Sequence, residues 1–225
     1  MFLAAVARPR YDFGKKRYFD GKIGIWHIIE QTFAQRGSKN RPKDASITKT
    51  ISMTRKVYTK MLLEKVFPAI REKWHGRKSR TIKVQQDNAR PHVQDINAAL
   101  VKAGQDYGWD IQMVSQPPRS PDLNVLDLGF FHSTQSLQHQ TPTIDTDGLI
   151  AAVETAFGSV SYRTLGKCFI TLQKVVGAII ATASLVFSSF TSATVSHQCH
   201  YLLTLRLSIT VLLICTNQSS QPNFL

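Results

Sequence analysis

Acidic side chains are scarce. The 225-residue chain has 15 Asp and Glu against 28 Lys and Arg, a net charge of +13, with a pI near 9.9. That excludes an acidic, solvating protein and favours a polyanionic partner. Cysteine is scarcer still: Cys168, Cys199 and Cys215, all in the last third, with no C-x-x-C pair. An odd number of cysteines, with no signal peptide at the start, argues against a disulfide framework and for reduced thiols inside a cell. His197, Cys199 and His200 are spaced too tightly for a zinc module. Long apolar runs are missing as well. Residues 175–190 are short for a membrane span, and Arg206 interrupts the run over 201–215. What is present is 43% hydrophobic and only 19% charged. That excludes a wholly disordered chain, and the length suffices for one domain with a core.

The charge is unevenly spread. Residues 1–100 carry 22 basic and 8 acidic side chains, residues 101–150 carry 2 and 6, and residues 151–225 carry 4 and 1. The first hundred residues are where a nucleic acid would bind. Their polar stretch over 33–50 includes Arg36, Lys39, Arg41 and Lys43. With Arg90 and Arg119 these form the candidate DNA contacts.

Residues 1–7 (MFLAAVA) read as a buried strand and 16–29 as a second, joined through Gly14 as a hairpin. Residues 54–73 read as a helix, with Val57, Met61, Val66 and Ile70 at helical spacing and Thr54 as N-cap. Residues 81–86 and 109–114 alternate as strands. Between them 91–104 reads as a helix, with Pro91 near its start and Val93, Ile96, Ala99, Leu100 and Ala103 on one stripe. Residues 116–121 (QPPRSP) form an extended loop, and Ser120-Pro121 looks like the start of another helix. Residues 146–157 and 161–175 read as two more. This order predicts an α/β domain with a mixed sheet flanked by helices. It spans 1–145, with a helical extension over 146–174. Residues 175–225 form an irregular apolar tail.

Two segments carry chemistry: QQDNARPH over 85–92 and PPRSPDLNVLD over 117–127. Asp87 follows the strand ending near Gln86, at the carboxyl end where open α/β sheets place their sites. A second carboxylate converging there can hold Mg²⁺, which prefers oxygen ligands. Paired ions can activate an attacking oxygen and stabilise the leaving one on a phosphodiester. Alone, an Asp at a strand end is more often a cap or turn residue. Asp122 and Asp127 compete for the second position. On one helix they lie about 140° apart, so only one faces the metal easily, and Asp122 in the first turn suits the helix dipole. Asn88 can cap the following helix, His92 can pack under the site or touch phosphate, and Asn124, three residues from Asp127, shares its face.

These segments resemble the mariner-like DNA transposases of the plant-type branch. QQDNARPH is similar to the motif around that family's second catalytic Asp, and SPDLNVLD to the motif around its third. The 39 residues between Asp87 and Asp127 match the branch's spacing, and MFLAAVARPR, FDGKIGIW, KNRP and LDLGFF are similar to its flanking segments. The likeness runs from residue 1 to about 173. It implies a ribonuclease H-like domain that cleaves and transfers DNA strands at transposon ends with Mg²⁺ or Mn²⁺. Asp87 and Asp127 would be catalytic and metal-binding, with Asn88, His92 and Asn124 in support. The family's first catalytic Asp lies on a strand just upstream of the segment matching MFLAAVARPR, and its helix-turn-helix region lies further upstream. This sequence has neither. The expectation is therefore a fragment lacking the first strand, with weak or absent catalysis, a sheet opened between the strands over 1–7 and 81–86, and an insoluble or molten product. The partners expected are DNA and further copies of the chain, with no small-molecule substrate and no membrane, in the nucleus. The alternatives are a non-enzymatic, basic nucleic-acid-binding protein derived from such a domain, or a tail-anchored membrane protein.

Overall fold

The structure, a computed structural model, describes residues 1–37, 42–74, 80–92, 97–143, 145–187 and 210–216. It is a mixed α/β fold built around β1 (Phe2–Ala7), all six of whose residues are buried. An unbroken apolar run is what a strand covered on both faces needs. Leu3, Ala5 and Ala7 enter one core; Phe2, Ala4 and Val6 enter the other. β4 (Lys22–His27) pairs antiparallel with β1.

The expected single strand over 16–29 is broken. β2 (Arg10–Asp12) and β3 (Arg17–Phe19) form their own antiparallel pair. Gly21 then turns the chain into β4 with φ +83°, and a Cβ there would meet the Ala7 carbonyl oxygen at 2.2 Å. Only glycine fits that turn. The polar stretch after residue 33 is not all loop, because β5 (Ile29–Phe33) and β6 (Ser46–Thr50) pair antiparallel.

The helix expected over 54–73 forms in three pieces: α1 (Arg55–Met61), a π-helical segment over Leu62–Val66, and α2 (Phe67–Lys73). Thr54 caps it, accepting a 3.3 Å hydrogen bond from Val57 N. The fully buried stripe is Tyr58, Leu62, Val66 and Ile70, with Val57 and Met61 only partly buried beside it. Steps of four residues overshoot an α-helical turn by about 40° each. The wider π turn absorbs that drift and keeps the stripe on the core.

β7 (Ile82–Gln86) and β8 (Ile111–Ser115) pair in parallel. The helix between them, α3 (Ala98–Gln105), starts later than expected. Its cap is Asn97, which accepts from Ala99 N and Leu100 N, and Pro91 lies in a turn. Val93 and Ile96 fall outside the described residues, as do Lys39, Arg41 and the His197–Cys199–His200 group. Ser120-Pro121 opens only a 3₁₀ turn, Pro121–Leu123, and the Ser120 side chain does not cap it. A π-helical segment over Leu126–Phe130 and then α4 (Phe131–Gln138) follow. Asp122 and Asp127 are thus on separate elements, and the 140° argument for a shared helix does not apply.

α5 (Thr146–Ser159) and α6 (Tyr162–Phe187) cover the second face. Residues Tyr162–Thr182 of α6 are long and apolar enough to cross a membrane, yet Leu165, Phe169, Leu172 and Val176 are buried in the second core. One stripe of the helix is thus packed into the second core, while most of its apolar window is not buried.

The tail departs most from expectation. Residues 175–187 continue α6, and residues 210–216 form β9. The five-stranded sheet runs β4-β1-β9-β7-β8. β9 lies antiparallel to β1, from Phe2↔Thr216 to Ala7↔Val211, and parallel to β7, from Lys83↔Thr210 to Gln86↔Leu213. The position between β1 and β7, expected to stand open, is filled from the tail.

Candidate active site at the carboxyl edge of the sheet

β7 ends at Gln86 and delivers Asp87 to the sheet edge, with about a third of its side chain exposed. Asp87 Oδ1 accepts from Ala89 N at 2.9 Å and lies 2.5 Å from His92 Nδ1. The same His92 nitrogen is 2.9 Å from the Asp87 carbonyl oxygen. His92 is buried, and its ring stacks on Tyr58 of α1, centroids 4.3 Å apart. Tyr58 in turn donates to Gln86 Oε1 at 3.1 Å. The loop after β7 is therefore clamped from the helix beneath it.

The second carboxylate arrives on the π-helical segment. Asn124 Nδ2 donates to Asp127 Oδ2 at 2.8 Å, while Asn124 Oδ1 accepts from Leu126 N at 3.1 Å. One buried amide thus caps the segment and aims the carboxylate. Gly129, with φ +142°, supplies the kink that turns this segment into α4. Gln85 Nε2 donates to the Leu123 carbonyl at 2.9 Å, and Asn88 Nδ2 to the Gln116 carbonyl at 2.6 Å. These two bonds tie the Asp87 loop to the loop that leads to Asp127.

The two carboxylates act on each other electrostatically. Burial and the negative charge of Asp87 together push the Asp127 carboxyl above its ordinary value, against the Asn124 hydrogen bond. Burial would raise Asp87 too, but the hydrogen bond and charge of His92 and the Ala89 N–H outweigh it and hold Asp87 below its ordinary value. The pair is thus asymmetric, with Asp87 the stronger acid. Asp122, the competitor, lies on the preceding 3₁₀ turn; it is exposed, as Asp127 is, but Asp127 alone of the two is held by the Asn124 amide.

The linkage consequences have opposite signs. Asp87, depressed on folding, stabilises the fold above the unfolded value near 3.9 and loses that contribution as pH falls through its folded value. Asp127, raised on folding, weakens the fold as pH rises from the unfolded value through its own, higher folded value. Asp127→Asn therefore melts at a higher temperature than wild type at pH 7 without metal, and the gap closes below about pH 4, where the Asp127 carboxyl is protonated and as neutral as the amide that replaces it. Adding Mg²⁺ raises the wild-type melting temperature and not that of the variant. Thermal scans at the two pH values, with and without Mg²⁺, check this.

A hard divalent ion fits the donors present. Two carboxylates converge, and Mg²⁺ commonly takes one or two, keeping water or phosphate oxygens elsewhere. His92 Nε2, Gln85 Oε1 and Gln116 Oε1, three of the six buried side-chain polar atoms with no hydrogen-bond partner among the described residues, lie on these two segments. Among the described residues, no three of His, Cys, Asp and Glu gather as a metal-binding group. The fit is to one ion on two carboxylates.

Of the cationic candidates, Arg90 and Arg119 are exposed on the two loops joined by the Asn88–Gln116 bond. Arg119 is held at φ +55°, within a turn closed by the Ser120 hydroxyl on the Pro117 carbonyl at 2.5 Å and by the Gln116 amide on the Ser120 carbonyl. Arg36 and Lys43 are exposed in the connection of the separate β5–β6 pair. Sequence reasoning missed Tyr58, Gln85 and Gln116. The adjacent Gln85-Gln86 pair at the end of an apolar strand was the available signal, since buried amides need partners. No family model matches the chain, and no curated protein matches it.

Proposed function

We propose that the chain is the catalytic region of a mariner-like, cut-and-paste DNA transposase with a ribonuclease H-like fold. On this reading it carries two of the three acidic residues, Asp87 and Asp127, and cleaves DNA weakly or not at all. The observation that carries the reading is that the segments bearing these carboxylates, QQDN and LNVLD, are tied together at the carboxyl edge of parallel strands by the Gln85–Leu123 and Asn88–Gln116 hydrogen bonds. Asp87 and Asp127 would hold Mg²⁺, which supplies Lewis-acid activation of a phosphodiester. His92 and Asn124 fix the two carboxylates, while Arg90 and Arg119 offer positive charge to the DNA backbone. DNA in the nucleus is the proposed partner and place.

A second reading is favoured by β9. Its sequence, TVLLICT, brings no carboxylate to the centre of the sheet. A chain with an incomplete acidic set acts as a basic nucleic-acid-binding protein derived from the transposase. Calorimetric Mn²⁺ titration, run beside a Mg²⁺-dependent plasmid-nicking assay, separates the possibilities. Mn²⁺ binding is expected to vanish in Asp87→Ala and in Asp127→Ala and to persist in Asp122→Ala. Binding unchanged in Asp87→Ala overturns the metal site. Nicking abolished by Asp87→Ala supports an enzyme; metal binding without nicking supports the second reading.

A further inference from the structure

The β2–β3 pair carries more exposed aromatic surface than its own stability explains. Tyr11 and Tyr18 face each other across the pair, with ring centroids 5.1 Å apart. Phe13 packs edge-on to Tyr11 at 4.9 Å, and Tyr18 stacks on Tyr162 of α6 at 5.0 Å and 24°. The four rings form one continuous strip. The Tyr18–Tyr162 stack has a structural task, since an isolated two-stranded hairpin is marginal and needs a support. Phe13 has none: it is 84% exposed, and Tyr18 is still 58% exposed.

The strip is edged with positive charge. Lys15 and Lys16, in the turn that follows Phe13, are exposed, whereas Arg17 lies opposite Asp12 on the other face of the pair. Arg163 sits over the Tyr162 ring, 5.8 Å from its centroid. The nearest acid in sequence, Asp12, has its carboxylate turned to the Gly14 and Lys15 amides of the hairpin turn. Exposed rings in line beside a cationic edge suit a ligand with flat faces and a charged backbone. A folded duplex hides its base faces, whereas an unpaired strand offers them, and every base presents a π-face to an aromatic side chain.

We infer that the β2–β3 strip, Phe13–Tyr11–Tyr18–Tyr162 with Lys15 and Lys16 in the adjoining turn, is a binding surface for single-stranded nucleic acid. It needs no metal and involves neither Asp87 nor Asp127. It shares with the preceding reading only a nucleic-acid partner, and binding in EDTA is read independently of cleavage.

Fluorescence anisotropy with labelled oligo(dT) and with a duplex of equal length, in EDTA at fixed salt, tests it. Wild type is expected to bind oligo(dT) more tightly than the duplex. Phe13→Ala, an exposed position whose change leaves the circular dichroism intact, is expected to weaken oligo(dT) at least fivefold and to leave the duplex unchanged. Removing a base stack is worth about this much or more. Its salt slope for oligo(dT) stays as in wild type, because a ring–base stack is not ionic, while Lys15→Ala together with Lys16→Ala lowers that slope. Equal oligo(dT) affinity in wild type and Phe13→Ala overturns the inference. Sedimentation supplies a second route to failure: a wild-type dimer that Phe13→Ala converts to monomer makes the strip an interface between copies of the chain.

Discussion

A chain ended after Phe187 is expected to be insoluble or molten, whereas the full chain unfolds in one cooperative transition. β9 is the middle strand of five, hydrogen-bonded to β1 on one side and β7 on the other. Deleting it splits the sheet into a β4–β1 pair and a β7–β8 pair, each with a bare edge that must find water or another chain. β1 and β7 run antiparallel to each other, so direct pairing would close the gap only by giving the side chains packed around β9 a new register. A milder version is Leu212→Pro. Proline removes one ladder donor from a central strand, where it is not tolerated, and each buried backbone group left unpaired costs about 1–3 kcal/mol. Scanning calorimetry and dye binding on the three chains check this. A truncated chain that melts as sharply as the full one would show that β9 does not hold the sheet together.

Little of that role could be read from residues 201–215. Their apolar run lacks alternation, so strand, helix and span look alike, and the strands that β9 pairs with, β1 and β7, lie far away in the sequence. β1 was legible for the opposite reason: FLAAVA is short, apolar throughout and closed by Arg8-Pro9, which leaves a doubly buried strand as the economical reading. The helix over 55–73 was legible as a helix, but its buried stripe was displaced by one residue at Tyr58 and Leu62. An α-helical period does not describe a run containing a π turn. β5–β6 was hidden because both strands are polar and partly exposed, so hydrophobic alternation does not mark them.

DNA affinity is expected to fall about 10³–10⁵-fold between 50 and 200 mM salt, equally for two unrelated duplexes. That range corresponds to roughly six to ten phosphates neutralised, which the 22 basic side chains of residues 1–100 can supply against 8 acidic ones. Phosphate binding of this type positions a protein on DNA without reading bases. Replacing Arg36 and Lys43 with Ala, both exposed, lowers the slope of log affinity against log salt by about 0.9 for each phosphate no longer neutralised. Filter binding across a salt series measures both. A flat salt response, or a clear preference for one duplex, would count against the basic half as a backbone-binding surface.

Asp87 was legible because it follows an alternating strand, and Asp127 because SPDLNVLD resembles a transposase motif. In the structure the amide of Asn124 bonds to Asp127 and that of Asn88 to the neighbouring loop. The clamp on Asp87 was not legible. It depends on Tyr58, on a helix far earlier in the chain, stacking under His92, and no local pattern announces a meeting of distant segments.

The middle strand of the sheet is also the last strand of the described chain to be made. About 200 residues separate β1 from β9, and translation at about 5–20 residues per second takes roughly 10–40 s to cover them. Through that interval β1 has β4 to pair with but not its other neighbour, and β7–β8 waits on the far side of the gap. Closure by such a distant segment gives the domain a high contact order and slow folding. A nascent chain of this design has the most need of chaperone cover on its emerging N-terminal half, long before the segment that completes the sheet exists.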